Sequence, residues 1–338
     1  MQTPSSTAPL PEVRTMKAIV QTEYGSPDVL SLAEVERPLV PDNGVLVKVH
    51  ATSVDAGVWH LMRGTPFLIR LMYGGLRKPK HTILGSAIAG QVEAVGKAVT
   101  QFQPGDEVFG DLSESGFGGF AEYACAPEAA LALKPSNLSF EAAATIPVSG
   151  LAALQALRDV GQIQTGQKVL VLGASGGVGS FAVQIAKALG ADVTGVASAP
   201  KVEMVAKLGA DQVIDYTQTD VTLAGKHYDL ILDAAAFRPF SAYLPILTAT
   251  GTYVAVGGST GDFLRAMVLG SFASKAAGKQ VKSLESKPNQ ADLVTLKDLA
   301  EAGKLTPFID RTFSLGEVPA AIRYLEDRNV KGKVAIRV

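Results

Sequence analysis

The sequence predicts an α/β protein in which a compact, barrel-like β region precedes a parallel, doubly wound sheet. Three observations predict it. The first third of the chain holds short β-branched runs separated by turn residues. From about Ser139 the rhythm changes to apolar strands alternating with amphipathic helices. A glycine-rich turn lies between the first of those strands and the helix that follows it.

In the first region, Met16–Thr22, Val45–Thr52, Ala87–Val95 and Phe120–Cys125 read as strands. Pro41–Gly44 and Pro104–Asp106 punctuate them as turns. In the second region, Lys168–Leu172 is a strand, and Val178–Leu189 a helix with Val178, Phe181, Ala182, Ile185 and Leu189 on one face. Gly190 stops that helix as a C′ glycine does. The cycle repeats through strand Asp192–Ala197, helix Lys201–Leu208, a stop at Gly209 and strand Gln212–Asp215. Asp229–Asp233 and Gly251–Gly257 supply two further buried strands, and Asp292–Gly303 a helix. The tail reads as a strand at Phe308–Phe313, a helix at Glu317–Asp327 and a last strand at Lys333–Val338.

At 338 residues the chain is long for one domain, and 47% hydrophobic with 19% charged residues is ordinary for a large buried core. The net charge of −1 argues against nucleic acid or an anionic membrane as the main partner. No apolar run reaches the length of a membrane-spanning helix. A single cysteine, Cys125, cannot form an internal disulfide, which fits a reducing, cytoplasmic setting. Residues 1–15 are rich in Pro, Ser and Thr without an apolar centre, and read as a disordered tail and not as a signal peptide.

The segment Gly173-Ala174-Ser175-Gly176-Gly177-Val178-Gly179 departs from a dinucleotide fingerprint only in placing Ala174 at the first glycine. Gly176 lets backbone approach a pyrophosphate, Gly179 lets helix and strand pack closely, and the helix N-terminus offers free N–H groups to phosphates. A tight turn with no ligand is the bland alternative. The second strand carries no carboxylate at its end to bind a ribose 2′-hydroxyl. Ser198 and Lys201 stand there instead, suited to a 2′-phosphate, and Tyr216 is placed to pack on the adenosine or reach the same phosphate. NADPH is therefore the expected cofactor. An ordinary solvated lysine is the competing account of Lys201.

Met16–Val20, Pro104–Val108, Gly118–Tyr123, Gly173–Gly179 and Gly332–Ile336, in this order, resemble the medium-chain dehydrogenase/reductase superfamily. Gly74–Lys80 and Asp215-Tyr216 are most similar to its zinc-free quinone oxidoreductase branch. The resemblance implies a GroES-like domain at 16–140 and 306–338, a Rossmann NADPH-binding domain at 141–305, a cleft between them, and a homodimer. It also implies an oxidoreductase passing hydride to a quinone or an α,β-unsaturated carbonyl, a small lipophilic acceptor. A zinc-free alcohol or aldehyde reductase and a non-catalytic NADPH-binding protein are the rival readings.

Zinc members of the superfamily need cysteine, histidine and carboxylate ligands. This chain has His50, His60, His81, His227 and Cys125, reads Gly85-Ser86-Ala87 where zinc members resemble Gly-His-Glu, and has Asp55 where a ligand cysteine falls. No metal is expected. Ser53–His60 corresponds to the cleft-lining loop. His60 is the candidate proton donor, with a packed histidine as the alternative, and Asp55 the candidate that orients the loop or a cofactor hydroxyl. Trp59 reads as pocket wall or core. Ser149 reads as a contact to the nicotinamide carboxamide or as a helix cap. Phe67–Lys80 reads as lining for a lipophilic acceptor, a weak membrane contact, or a loop packed on the core, and Phe67 is its pocket candidate. Val256-Gly257-Gly258 ends a parallel strand and is expected to border the nicotinamide. Ala87, Ala152 and Phe237 depart from the branch pattern and remove polar groups from the expected cleft.

Overall fold

A computed structural model describes residues 14–73, 75–257, 279–327 and 329–338. The first half runs β1 (Thr15–Val20), β2 (Ser31–Glu36), β3 (Gly44–Val54), α1 (Ala56–Arg63), α2 (Phe67–Met72), β4 (Ala87–Val95), β5 (Glu107–Asp111), β6 (Tyr123–Pro127), β7 (Leu131–Leu133), α3 (Phe140–Ala144) and α4 (Pro147–Gln155). The second runs β8 (Lys168–Leu172), α5 (Gly177–Ala188), β9 (Asp192–Ala197), α6 (Val202–Lys207), β10 (Gln212–Asp215), β11 (Tyr228–Asp233), β12 (Leu247–Ala255) and β13 (Gln280–Ser283). It closes with α7 (Gln290–Glu301), β14 (Ile309–Ser314), α8 (Val318–Glu326) and β15 (Lys333–Arg337). No helix among the described residues is long and apolar enough to cross a membrane.

Strands β8 to β13 form a parallel sheet in the order β10-β9-β8-β11-β12-β13. The chain winds outward from β8 in both directions, so a crevice opens between the carboxyl ends of β8 and β11. Apart from Lys168, β8 is wholly buried, as a strand covered by helices on both faces must be. The other main sheet follows the order β14-β15-β3-β4-β5-β7, with β6 on β3, and β1 and β2 form a separate antiparallel pair. The C-terminal strand thus returns to the first region: Val334 faces Val54 and Ala335 faces Ser53 across β15 and β3. Helix α4 is buried nearly all round, and Leu151 and Leu154 share one core with Phe109, Phe181 and Val171. One apolar core therefore spans the junction of the two sheets.

Four expectations need correction. The strand expected at Phe120–Cys125 begins at Tyr123, because the amides of Gly119 and Phe120 are spent on the Gly85 and Leu84 carbonyls. The expected cleft-lining loop is the helix α1: Asp55 accepts from the Val58 amide at 3.0 Å as its N-cap, and Val58 and Met62, four residues apart, are buried together. The stretch Phe67–Lys80 is not a loop throughout, since Phe67–Met72 is helical and has no buried residue. Thr15 belongs to β1 and not to the tail; the remainder of the expected tail up to residue 13 lies outside the described residues.

Candidate active site

A cleft of 780 Å³ lies at the carboxyl ends of β8, β9 and β11, between the parallel sheet and helices α1 and α8. Its floor is the turn after β8. Gly173 has φ of +73°, which glycine adopts without strain. A Cβ at Gly179 would stand 2.1 Å from the Gly173 carbonyl oxygen, so helix and strand pack here only around hydrogen. Gly176 is the N-cap of α5 and supplies no side-chain cap, which leaves the N–H groups of the first turn for a ligand. A Cβ at Gly176 would meet nothing closer than 3.4 Å, so the bare backbone there leaves space above the loop. Ser175, Gly176 and Gly177 line the cleft, whereas Ala174 is buried and Val178 packs on the core. This is a cradle that fits a dinucleotide diphosphate.

At one end of the cleft, Val196, Ala197 and Ser198 close β9, with Lys201 and Tyr216 beside them. The Tyr216 amide donates to the Ala197 carbonyl at 3.1 Å, which pins β10's end to β9's. Tyr216 is 48% exposed and tilts against Phe237 with ring centroids 5.6 Å apart. Lys201 donates to the Val330 carbonyl at 2.9 Å. Burial holds its ammonium below the usual lysine value, with Lys331 acting in the same direction and Asp310 against it. Ser198, Lys201 and Tyr216, which share no helix or strand, are thus gathered at one end of the cleft.

The opposite wall comes from α1 and α8. His60 and Trp59 both line the cleft, their rings edge to face at 4.5 Å. His60 Nδ1 is 2.8 Å from the Thr65 carbonyl oxygen, an acceptor, so Nδ1 carries the proton and Nε2 is the nitrogen left for a ligand. Glu326 of α8 accepts from Trp59 Nε1 and, at 2.7 Å, from Arg63 Nε, which locks α1 to α8. Arg63, Leu325, Glu326 and Val330 all line the cleft, and sequence reasoning named none of them. Residues 263 apart leave no local signal of their pairing.

Several candidates lie elsewhere. Asp55 caps α1 from a buried position outside the cleft lining. Ser149 is the third residue of α4, whose N-cap is Ile146, so the capping alternative is set aside. It is buried and accepts from Lys333 Nζ at 3.0 Å. Phe67 is 61% exposed and away from the lining residues. Val256 donates to the Asp233 carbonyl at the end of the parallel sheet, Gly257 follows it, and Gly258 lies outside the described residues. Asp111, also unforeseen, is buried at the end of β5. Burial chiefly, with the nearby Asp55 and Glu114 charges, pushes it up to about 6, against hydrogen bonds from Ser113. Among the described residues no three His, Cys, Asp or Glu side chains gather as a metal ion would need.

Comparison with known proteins agrees with this architecture. Residues 41–136 match the alcohol dehydrogenase GroES-like domain, and residues 208–336 match the family described as zinc-binding dehydrogenase. The chain is 33% identical to the chloroplast envelope quinone oxidoreductase homolog of Arabidopsis thaliana, across 96% of this chain and 98% of the relative. The chain belongs to the medium-chain dehydrogenase/reductase superfamily, in its quinone oxidoreductase-like branch. The 2-methylene-furan-3-one reductase of Solanum lycopersicum is 33% identical over 95% of this chain and 79% of its own length. The quinone oxidoreductase structure from Coxiella burnetii superposes with a TM-score of 0.86 at 31% identity, covering 96% of this chain and all of that one. As a medium-chain dehydrogenase/reductase with these relatives, the chain is a nicotinamide-dependent oxidoreductase. Its parallel sheet is the Rossmann-like part of that fold.

Proposed function

We propose that this chain is a zinc-independent, NADPH-dependent reductase that adds hydride to a quinone or an α,β-unsaturated carbonyl. The observation that carries the reading is the composition of the cleft: a bare phosphate loop, Ser198, Lys201 and Tyr216 at one end, and His60 on the facing wall. The end of β9 presents a hydroxyl and an ammonium in place of a carboxylate, which favours a 2′-phosphate over a free 2′-hydroxyl.

The bound nicotinamide supplies the hydride. The protein's part is to orient and to stabilise charge. Trp59, Ala234, Ala235, Phe237 and Leu325 give the cleft an apolar wall suited to a lipophilic acceptor. When hydride arrives at the β-carbon of an enone, charge develops on the carbonyl oxygen. His60 is the proposed proton donor to that oxygen through Nε2, since its Nδ1 is engaged by the Thr65 carbonyl. A conjugated acceptor needs no Lewis acid, and Asp55, in the place of a ligand cysteine, spends one carboxylate oxygen on α1. The names of the relatives, a quinone oxidoreductase and a 2-methylene-furan-3-one reductase, agree with a conjugated substrate.

Initial rates measured with NADPH and with NADH, each against a quinone, an enone and a saturated aldehyde, test the proposal. Turnover of quinone or enone with NADPH is expected. Turnover of the aldehyde alone moves the chain to the carbonyl reductases, and firm NADPH binding with no turnover of any acceptor overturns catalysis.

A further inference from the structure

Beneath the cleft lies a charged cluster for which the reduction described above has no use. Lys333 opens β15 and is 3% exposed. Its ammonium donates to Ser149 Oγ on α4 at 3.0 Å and lies 3.4 Å from the Val54 carbonyl at the end of β3. Burial holds its ammonium below the usual lysine value, and the Asp55 and Asp111 carboxylates act against that shift. An ammonium carries donors and no acceptor, so Ser149 accepts from it and keeps its own O–H to donate elsewhere. Asp55, 8% exposed, spends Oδ1 on the Val58 amide, and its buried Oδ2 has no hydrogen-bond partner among the described residues.

The cluster touches the phosphate loop from below. A Cβ built on Gly177, the first residue of α5, would stand 3.3 Å from both Lys333 Cδ and Ser149 Oγ. The amide of Gly332 donates to the Ser175 carbonyl of the same loop at 2.8 Å. Burying an ammonium is unfavourable, and apolar side chains of that volume would join two sheets at least as well. The cation instead sits under a loop shaped for an anionic diphosphate, in a low-dielectric setting where its field is little screened.

We propose that Lys333 is a positioning residue for the bound dinucleotide. It places a positive charge beneath the phosphate loop and holds Ser149, on α4, against Gly177 at the start of α5. The inference rests on the cleft being a dinucleotide site.

Calorimetric titration of the purified protein with NADPH and with adenosine 2′-monophosphate, which carries the adenosine end and no diphosphate, tests it. Lys333→Met and Ser149→Ala should each bind NADPH roughly tenfold or more weakly, the loss typical of a hydrogen bond to a charged group. The double variant should bind no worse than Lys333→Met, because the two residues act as one unit. All three should bind adenosine 2′-monophosphate as the wild type does. A lowered Tm with unchanged NADPH affinity makes Lys333 merely structural and overturns the proposal, as does equal weakening of both ligands. Should Lys333→Met fail to fold, Ser149→Ala, which keeps the cation, decides alone by the same two ligands. A wild type that binds neither ligand sinks the dinucleotide reading itself. A wild type that prefers NADH removes only the 2′-phosphate assignment, and the same variants titrated with NADH still decide the role of Lys333.

Discussion

On the Rossmann side the cleft is walled by backbone and small residues, Gly173, Ser175, Gly176, Ala197 and Ser198; on the other it is walled by Trp59, His60, Arg63 and Glu326. The first wall is dictated locally. A strand, a glycine turn and a helix N-terminus within a dozen residues fix where the N–H groups point, whatever lies elsewhere. The second wall is held by side chains that fix one another across 263 residues, through the Arg63–Glu326 ion pair and the Trp59 bond. Changes to the first wall should therefore act on cofactor binding and packing, and changes to the second on turnover.

The largest effect is expected within the phosphate loop. Gly179→Ala puts a Cβ 2.1 Å from a backbone oxygen, which neither helix nor strand can yield cheaply. It should cost about 3 kcal/mol or more of stability, seen in thermal melts. Gly176→Ala meets no such obstacle and should melt like the wild type, yet lose NADPH affinity because the diphosphate needs bare backbone. Unchanged affinity in that variant would break the account of this wall.

Next comes the facing wall. His60→Ala should lower kcat roughly a hundredfold while leaving the Kd for NADPH unchanged, as expected for a proton donor. A variant that loses NADPH affinity instead would place His60 with the cofactor.

Outside the cleft lining, Asp111 makes a buried charge measurable. Its folded-state value, about 6, lies above the ordinary 3.8. The native state keeps a proton that the unfolded chain has released, so this residue's contribution to stability falls as pH rises from about 4 to about 6 and stays low above. The loss is on the order of 2–3 kcal/mol. Asp111→Asn should therefore gain stability relative to the wild type as pH rises across that window, followed by chemical denaturation at several pH values. A difference that is flat with pH would show that the charge of Asp111 is not the issue.

The smallest effect is the most selective. Lys201→Ala should weaken NADPH roughly tenfold and leave NADH unchanged, a ratio read by parallel titration. Equal loss for both cofactors would return Lys201 to its structural bond with Val330.

The same contrast explains what the sequence disclosed. Ala87–Val95, Lys168–Leu172, Asp192–Ala197 and Gln212–Asp215 form strands with the expected bounds, because buried β-branched runs between glycines have few other solutions. The loop at Ser175–Gly177 and the grouping of Ser198, Lys201 and Tyr216 were readable for the same reason, since strand ends of a doubly wound sheet converge by topology. Helix α1 was hidden: the segment is only eight residues long and has Gly57 and Val58, poor helix formers, in its first turn, and its Asp55 cap was read as a cleft residue. Lys333 and Asp111 were hidden more deeply. Each looks like an ordinary charged strand residue, and only the return of β15 to β3 brings the lysine under the phosphate loop.

The central claim, hydride delivery to a conjugated acceptor, is tested most directly by following the transferred atom. NADPH carrying deuterium on the donating carbon of its nicotinamide is incubated with the protein and an enone, and the product is read by NMR. The account predicts a saturated ketone with deuterium on its β-carbon. An allylic alcohol with deuterium on the former carbonyl carbon would contradict it.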